Sequence, residues 1–314
     1  MPPRLAIVVP CYNEQDVLPS TLRTLTALLL RMDTDALVAS DSYILCVDDG
    51  SQDDTWSVIC SAHNENRLIK GISFAHNAGH QNALIAGLDT VVDRCDCAVT
   101  IDADLQDDPE AIIKMVKEFR LGKEIVFGVR SSRDSDTWFK RTSSHSFYKI
   151  QKMLGVDTVY DHADFRLMSN RAIHMLGEYG ESNMYLRGIV ARIGLSSSIV
   201  TYPRSARAAG ETKYPLSKML SLSIDGITSF TAKPMRYIFY LGFIFLIIDV
   251  IVALWALLSY TGGHTASGWT SLILSVWFLG SLILMSIGVV GEYIGKIFVE
   301  VKHRPRYAIR EELF

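Results

Sequence analysis

Apolar positions fall into two patterns that change over near residue 233. Before that point, short apolar runs alternate with longer stretches of mixed polarity. Runs at residues 5–9, 43–47, 69–74, 97–101 and 125–129 are rich in Val and Ile and have the length of buried strands. Residues 14–30, 55–63, 81–92 and 109–119 lie between them and read as helices. Strand and helix alternate, which predicts a mostly parallel sheet with helices on its faces. Asp108 before Pro109 marks the last of these helix starts, a capping carboxylate followed by a residue that needs no N–H partner there. Asp107 is available for the same capping. No internal repeat or low-complexity linker interrupts the order.

Beyond residue 233 the apolar pattern becomes continuous. Residues 237–258 and 269–290 form two runs, each of roughly 20 residues or more, enough to cross a bilayer core as a helix. Asp249 is the one charge in the first run, and the second has none. Lys233 and Arg236 precede the first run, and Lys296, Lys302, Arg304, Arg306 and Arg310 follow the second. The connection 259–268 lacks Lys and Arg, so the charge bias places both ends of the chain on the cytoplasmic side. Tyr237, Tyr260, Trp269 and Tyr293 stand near the span ends, as interfacial aromatics do. Leu216, Met219, Leu220, Ile224, Ile227 and Phe230 recur at helical spacing. They predict an amphipathic helix lying in the membrane interface, or else one facing the core. Asp249 fits a functional intramembrane acid, a contact to a neighbouring subunit or a protonated group between helices. The expected organisation is a cytoplasmic domain over 1–213, interfacial helices over 214–234, two spans over 235–295 and a basic cytoplasmic tail over 296–314.

Composition sharpens this reading. The 314 residues carry a net charge of −3, so no basic field points to nucleic acid. Cys11, Cys46, Cys60, Cys95 and Cys97 are odd in number and form no Cys-x-x-Cys, which suits a reduced compartment. The N-terminal apolar segment stops at Pro10, too early for a signal peptide.

Polar residues gather just after the strand-like runs: Asn13 and Glu14, then Asp48 and Asp49, then Asn77, Gly79, His80 and Gln81, then Asp102 and Asp104. Open α/β sheets bind ligands at the carboxyl ends of their strands, so these positions predict a nucleotide crevice. Neither G-x-G-x-x-G nor a P-loop is present to hold phosphates. The stretch 101–106 offers instead a pair of carboxylates, Asp102 and Asp104, for Mg²⁺ or Mn²⁺ shared with substrate phosphates. Two acids spaced by one residue on an extended segment would point to one side.

The segments Val9-Pro10-Cys11-Tyr12-Asn13-Glu14, Asp48-Asp49-Gly50-Ser51, Asn77-Ala78-Gly79-His80-Gln81 and Asp102-Ala103-Asp104-Leu105-Gln106 occur in that order. Asp164-Phe165-Arg166, Tyr185-Leu186-Arg187-Gly188 and Arg207-x-x-Gly210-Glu211-Thr212-Lys213-Tyr214 follow before the spans. This series resembles the family 2 glycosyltransferases of GT-A fold, and within them the polyprenyl-phosphate hexose synthases. The group includes dolichyl-phosphate mannose synthases and bactoprenol glucosyltransferases, the latter matching best through the two spans and tail. The resemblance implies a nucleoside pocket lined by Pro10, Tyr12, Glu14 and Asp49. Asn13, Asp48, Asn77, His80, Gln81 and Ala103 complete the implied donor site, with His80 read more as a local hydrogen-bonding group than as an acid or ligand. Asp102, Asp104 and Gln106 would hold the metal and diphosphate, and Asp164 and Arg166 would lie at the reacting centre. Two departures touch none of these positions: residues 93–98 read D-R-C-D-C-A, and Asp108 stands where the family often has proline.

The implied reaction is inverting transfer of one hexose from a nucleotide-sugar to a polyprenyl phosphate such as undecaprenyl phosphate. UDP-glucose is the favoured donor, with galactose, N-acetylglucosamine and mannose open. A phosphate monoester is largely dianionic at neutral pH, so the acceptor needs no strong base. Asp164 can then position a substrate, take a proton or simply pair with Arg166. Arg204, Arg207 and Lys213 join Arg166 as cations suited to acceptor and diphosphate oxygens. The branch also implies a homo-oligomer, a tetramer being favoured, in the cytoplasmic membrane. A processive polysaccharide synthase would carry Q-x-x-R-W and more spans, and neither is present. A non-catalytic assembly partner would have lost the strand-end acids, which are all in place.

Overall fold

The computed structural model describes residues 1–130, 162–181, 186–203 and 269–314, with a few helical positions between 238 and 251. Eight strands form one sheet in the order β7-β5-β6-β4-β1-β2-β3-β8. They are β1 (Leu5–Cys11), β2 (Tyr43–Asp48), β3 (Ile69–Phe74), β4 (Cys97–Thr100), β5 (Ile125–Arg130), β6 (His162–Ser169), β7 (Ser197–Tyr202) and β8 (Ile309–Leu313). Helices α1 (Leu18–Thr34), α2 (Thr55–Glu65), α3 (His80–Val91), α4 (Ala111–Arg120), α5 (Asn170–Gly177) and α6 (Leu186–Arg192) belong to the same unit, and α7 (Trp269–Val301) to a second.

Strands β4, β1, β2 and β3 run parallel, while β6 lies antiparallel between β4 and β5. Every residue of β1, β2 and β4 is buried, as continuous Val/Ile runs require when helices cover both faces. The five strand-like runs of the sequence all become strands. β1 continues past residue 9 to Cys11, and β4 stops at Thr100. From β1 the chain steps outward to β2 and β3 and then crosses back to β4 on the other side of β1, so a switch point lies between β1 and β4.

Two helix starts differ from the pattern. Helix α1 begins at Leu18 rather than residue 14, with Pro19 in its first turn. The N–H groups of Glu14 and Gln15 are taken by Thr55 Oγ1 at 2.9 Å and Asp53 Oδ2 at 3.3 Å, which holds these residues in a turn. Helix α4 begins at Ala111, preceded by a turn in which Asp108 Oδ1 accepts the Glu110 N–H at 3.0 Å. Asp107 takes no part in this cap. Its Oδ1 accepts from Arg130 Nε at 2.9 Å and from the Tyr202 hydroxyl at 2.7 Å, a buried cluster joining β5 and β7 to the segment before α4.

Strands β6, β7 and β8 were not legible as alternating runs. The segment after α7, read from its charges as a tail, adds β8 antiparallel to the β3 edge. Helix α7 is 33 residues long, about 50 Å at 1.5 Å per residue. Its stretch Phe278–Val301 has mean hydropathy 1.8 and is nowhere buried within the chain. It is the one helix among the described residues long and apolar enough to cross a membrane. In the earlier run, Tyr240, Ile244, Ile247 and Ile251 are helical and exposed. Asp249, the amphipathic stretch 216–230 and the connection 259–268 lie outside the described residues.

Gly50 has φ +64°, and a Cβ there would stand 2.6 Å from the His76 carbonyl carbon and 2.7 Å from the Asn77 nitrogen. Gly50→Ala therefore pushes the β2–α2 loop off the loop before α3. The expected cost is about 2 kcal/mol, read as a fall in thermal midpoint of roughly 4–8 °C.

Candidate active site

The carboxyl ends of β1, β2, β3 and β4 carry loops that fasten to one another. After β1, Asn13 adopts φ 54°, a left-handed conformation that asparagine tolerates. Its N–H donates to Ser51 Oγ at 3.0 Å, and its Oδ1 accepts the Gln52 N–H at 2.9 Å. Pro10 is buried within β1, and Tyr12 projects into solvent.

Asp48 and Asp49 end β2 with their carboxylates committed to the protein. Asp48 accepts the Ser51 N–H at 3.1 Å on one oxygen and the Ser73 hydroxyl at 2.7 Å on the other. Asp49 accepts the N–H groups of Ala78 at 2.7 Å and Gly79 at 3.0 Å, and Asn77 Nδ2 at 3.1 Å. Burial raises the Asp49 carboxyl above its ordinary range, and the Ala78 and Gly79 N–H groups oppose that rise. Asn77, Ala78 and Gly79 are thereby drawn under β2, which sets where α3 begins.

His80, the first residue of α3, faces the centre of the site. Its Nε2 lies 3.6 Å from Asp102 Oδ1 and 3.8 Å from Asp164 Oδ2. The sequence reading of His80 as a local loop residue missed this bridge, because Asp164 is 84 positions away. Gln81 Nε2 donates to Asp164 Oδ2 at 3.4 Å, and Gln81 Oε1 accepts the Leu186 N–H at 3.3 Å. Asp164 and Arg166 are two apart on β6 and so share a face. Arg166 is 2% exposed and donates through Nη2 to Asp164 Oδ1 at 2.7 Å. Thr100 at the end of β4 donates its hydroxyl to the Asp164 carbonyl.

Asp102, Ala103 and Asp104 form a turn rather than the extended segment expected, so sidedness by alternation does not apply. Leu105 has φ 45°, and its N–H donates to the Asp102 carbonyl at 3.2 Å. Thr21 of α1 donates its hydroxyl to the Ala103 carbonyl and anchors the turn. Gln106 donates its backbone N–H to Asp104 Oδ1 at 3.2 Å and its side-chain nitrogen to Oδ2, which orients that carboxylate. Desolvation pushes the Asp102 carboxyl up to about 6; His80 opposes the shift, while Asp164, Asp107 and Asp104 add to it. Arg204, Arg207 and Lys213 lie outside the described residues. A cavity of about 270 Å³ between Asp89, Val92, Ile173, His174, Gly177 and Glu178 sits at the opposite end of α3 and shares none of this chemistry.

Residues 6–194 match the family described as glycosyl transferase family 2, more than half of the chain. The chain belongs to that family. It is 49% identical over 312 residues to an uncharacterized glycosyltransferase, YkoT, of Bacillus subtilis (strain 168), covering 99% of this chain and 93% of the relative. It is 33% identical over 311 residues to the bactoprenol glucosyl transferase of Shigella phage SfV, covering 98% and 99%. Among solved structures, glucosyl-3-phosphoglycerate synthase from Mycobacterium tuberculosis in complex with Mn²⁺, UDP and phosphoglyceric acid superposes with a TM-score of 0.50. That match spans 72% of this chain and 76% of the other at 18% identity, and it carries the fold. The protein is thus a glycosyltransferase with a GT-A-like α/β fold.

In this family 2 transferase, the strand-end acids make an oxygen-rich, negatively charged floor. Among the described residues, no three His, Cys, Asp or Glu side chains converge on one metal position. Two carboxylates with remaining positions left to water and phosphate suit Mg²⁺ or Mn²⁺, which keeps such ligands. Like charge crowded around Asp102 is also what a cation would relieve.

The folded-state pKa of Asp102 lies above its ordinary 3.8, so ionisation weakens the metal-free fold as pH rises through about 6. Asp102→Asn is expected to raise the thermal midpoint of the metal-free protein at pH 7.5. That advantage should shrink as the pH is lowered to 5. Mn²⁺ should stabilise the wild type and leave the variant nearly unchanged, as read by thermal unfolding with and without the ion.

Proposed function

We propose that the protein transfers a single glucose from UDP-glucose to a polyprenyl phosphate, undecaprenyl phosphate being the favoured lipid, with inversion at the anomeric carbon. The observation that carries this reading is the near-full-length likeness to bactoprenol glucosyl transferases in a chain with a strand-end acid cluster and an exposed apolar helix. The work takes place at the cytoplasmic membrane, with the transferase domain on the cytoplasmic side. Support for that placement comes from the basic residues around the apolar runs and from α7.

In this reading the nucleoside sits over Pro10, Tyr12, Asn13 and Glu14, within a frame that Asp48, Asp49 and Asn77 hold rigid. Asp102 and Asp104 would hold a divalent cation, and Gln106 orients Asp104. A bound Mg²⁺ or Mn²⁺ supplies Lewis-acid stabilisation for the departing diphosphate. The lipid phosphate oxygen forms the new bond to the anomeric carbon as the bond to the UDP oxygen breaks. The dianionic acceptor brings its own nucleophile, so no protein base is needed. Asp164, fixed by Arg166 and Gln81, positions the hexose, and His80 holds Asp102 and Asp164 at a set spacing. Arg204, Arg207 and Lys213 attract the lipid phosphate.

The test is a lipid-extraction assay on purified protein with undecaprenyl phosphate, Mg²⁺ and a panel of labelled nucleotide-sugars. One organic-soluble monosaccharide-phosphate lipid should form from UDP-glucose. Asp104→Ala or a chelator should lower the rate about 100-fold or more. Asp164→Asn should slow transfer without changing the shape of the pH profile, because this carboxylate takes no proton. Water-soluble polymer would instead indicate a processive synthase. Nucleotide binding without transfer from any donor would indicate an assembly partner.

A further inference from the structure

The segment after α7 does more than close a sheet edge. Glu311 pairs with Ser73 across β8 and β3, and the Ala75 N–H donates to the Ala308 carbonyl at 2.9 Å. Tyr307 stacks on Phe74 with ring centroids 5.3 Å apart and donates its hydroxyl to Asp89 at 2.9 Å. Trp56 Nε1 donates to Glu311 Oε2 at 3.0 Å. Register, stacking and these bonds fix Arg310 beside Ser73, and Arg310 Nη2 donates to Ser73 Oγ at 3.0 Å.

Ser73 is fully buried, and its hydroxyl has one proton to give. A guanidinium only donates, so the Ser73 oxygen must accept from Arg310 and its proton is directed elsewhere. It goes to Asp48 Oδ2 at 2.7 Å. The other Asp48 oxygen takes the Ser51 N–H at 3.1 Å, and Ser51 Oγ takes the Asn13 N–H at 3.0 Å. Hydrogen bonds, together with the covalent link from the Ser51 N–H to its Oγ, therefore join the last strand, through a carboxylate 1% exposed, to the loop after β1. The Arg310 charge polarises the Ser73–Asp48 bond next to it. The neighbouring Arg310–Glu311 ion pair, 3.4 Å long and half-exposed, contributes little beside it.

We infer that Arg310 is a positioning residue for the nucleotide-sugar donor, acting through Ser73 and Asp48 on the Asn13–Glu14 loop. This rests on the reading of that loop as part of the donor site. Without the guanidinium, Ser73 is free to turn its proton away, and Asp48 is left buried with one bond fewer. The loop that Ser51 holds then loosens, and donor binding weakens before chemistry does.

The experiment measures UDP binding by calorimetry and steady-state kinetics on the full chain carrying Arg310→Ala, Arg310→Lys, Ser73→Ala and the Arg310→Ala/Ser73→Ala double substitution. Arg310→Ala should raise the donor KM about 5- to 20-fold with a much smaller change in kcat and an unchanged acceptor KM. Arg310→Lys should recover part of the loss. Ser73→Ala, which leaves β8 and Arg310 in place, should reproduce it and keeps the test decisive if Arg310→Ala folds poorly. The double variant should be no worse than either single one, as expected for two links of one line. Equal donor KM in wild type and both single variants, or effects that simply add, would overturn the inference while leaving the donor site standing. A wild-type protein that binds no UDP would overturn the donor reading and this inference together.

Discussion

Burial of β1, β2 and β4 along their whole length governs where the charged side chains of the domain can sit. A charge in the middle of such strands would lose its water without gaining a partner, at a cost no single domain tolerates lightly. Polar chemistry is therefore displaced to the strand ends. At the switch point between β1 and β4 the connecting loops part in opposite directions, and the displaced polar groups gather around one cleft. His80, Asp102 and Asp164 meet there, and Asp48 and Asp49 at the end of β2 hold the neighbouring loops, because β1, β2 and β4 admit charge at no point nearer their centres.

Two ion pairs stiffen this rim, one buried and one with its arginine partly exposed. Asp164 and Arg166 satisfy each other on β6 beside the end of β4. Asp107, Arg130 and Tyr202 tie the segment before α4 to the ends of β5 and β7. Each pair brackets the turn that carries Asp102 and Asp104, so that turn is held from both sides. Asp102 differs from its neighbours in facing other carboxylates as well as His80. In the proposed reading, this imbalance of charge lies where substrate phosphates would bind.

Family membership and the exposed apolar face of α7 bear on where the enzyme works. An apolar stretch of 24 residues with none of its described residues buried needs an apolar environment from elsewhere. A lipid-linked acceptor would bring substrate and enzyme to the same interface. After α7 the chain rejoins the sheet through β8, so the edge of β3 is covered rather than left open for pairing with another chain.

Sequence alone determined the parallel core, because strands buried on both faces must be continuous in Val and Ile, and such runs are legible without any partner. It determined the family for a related reason: the site is built from short motifs that follow consecutive strands, and their order survives in one dimension. The helix start at 14 was misplaced because side chains far along the chain, Thr55 and Asp53, claim N–H groups that a local pattern leaves to the helix, and the start at 109 because a turn closed by Asp108 precedes α4. Only the tertiary structure decided that Asp107 pairs with Arg130 rather than capping α4, and that His80 spans Asp102 and Asp164. It also decided that the charged run Ile309–Leu313 is a strand reaching Ser73 and Asp48. These are contacts between residues 22 to 237 positions apart. Their energy comes from partners that periodicity cannot see, so no reading of local pattern could have supplied them.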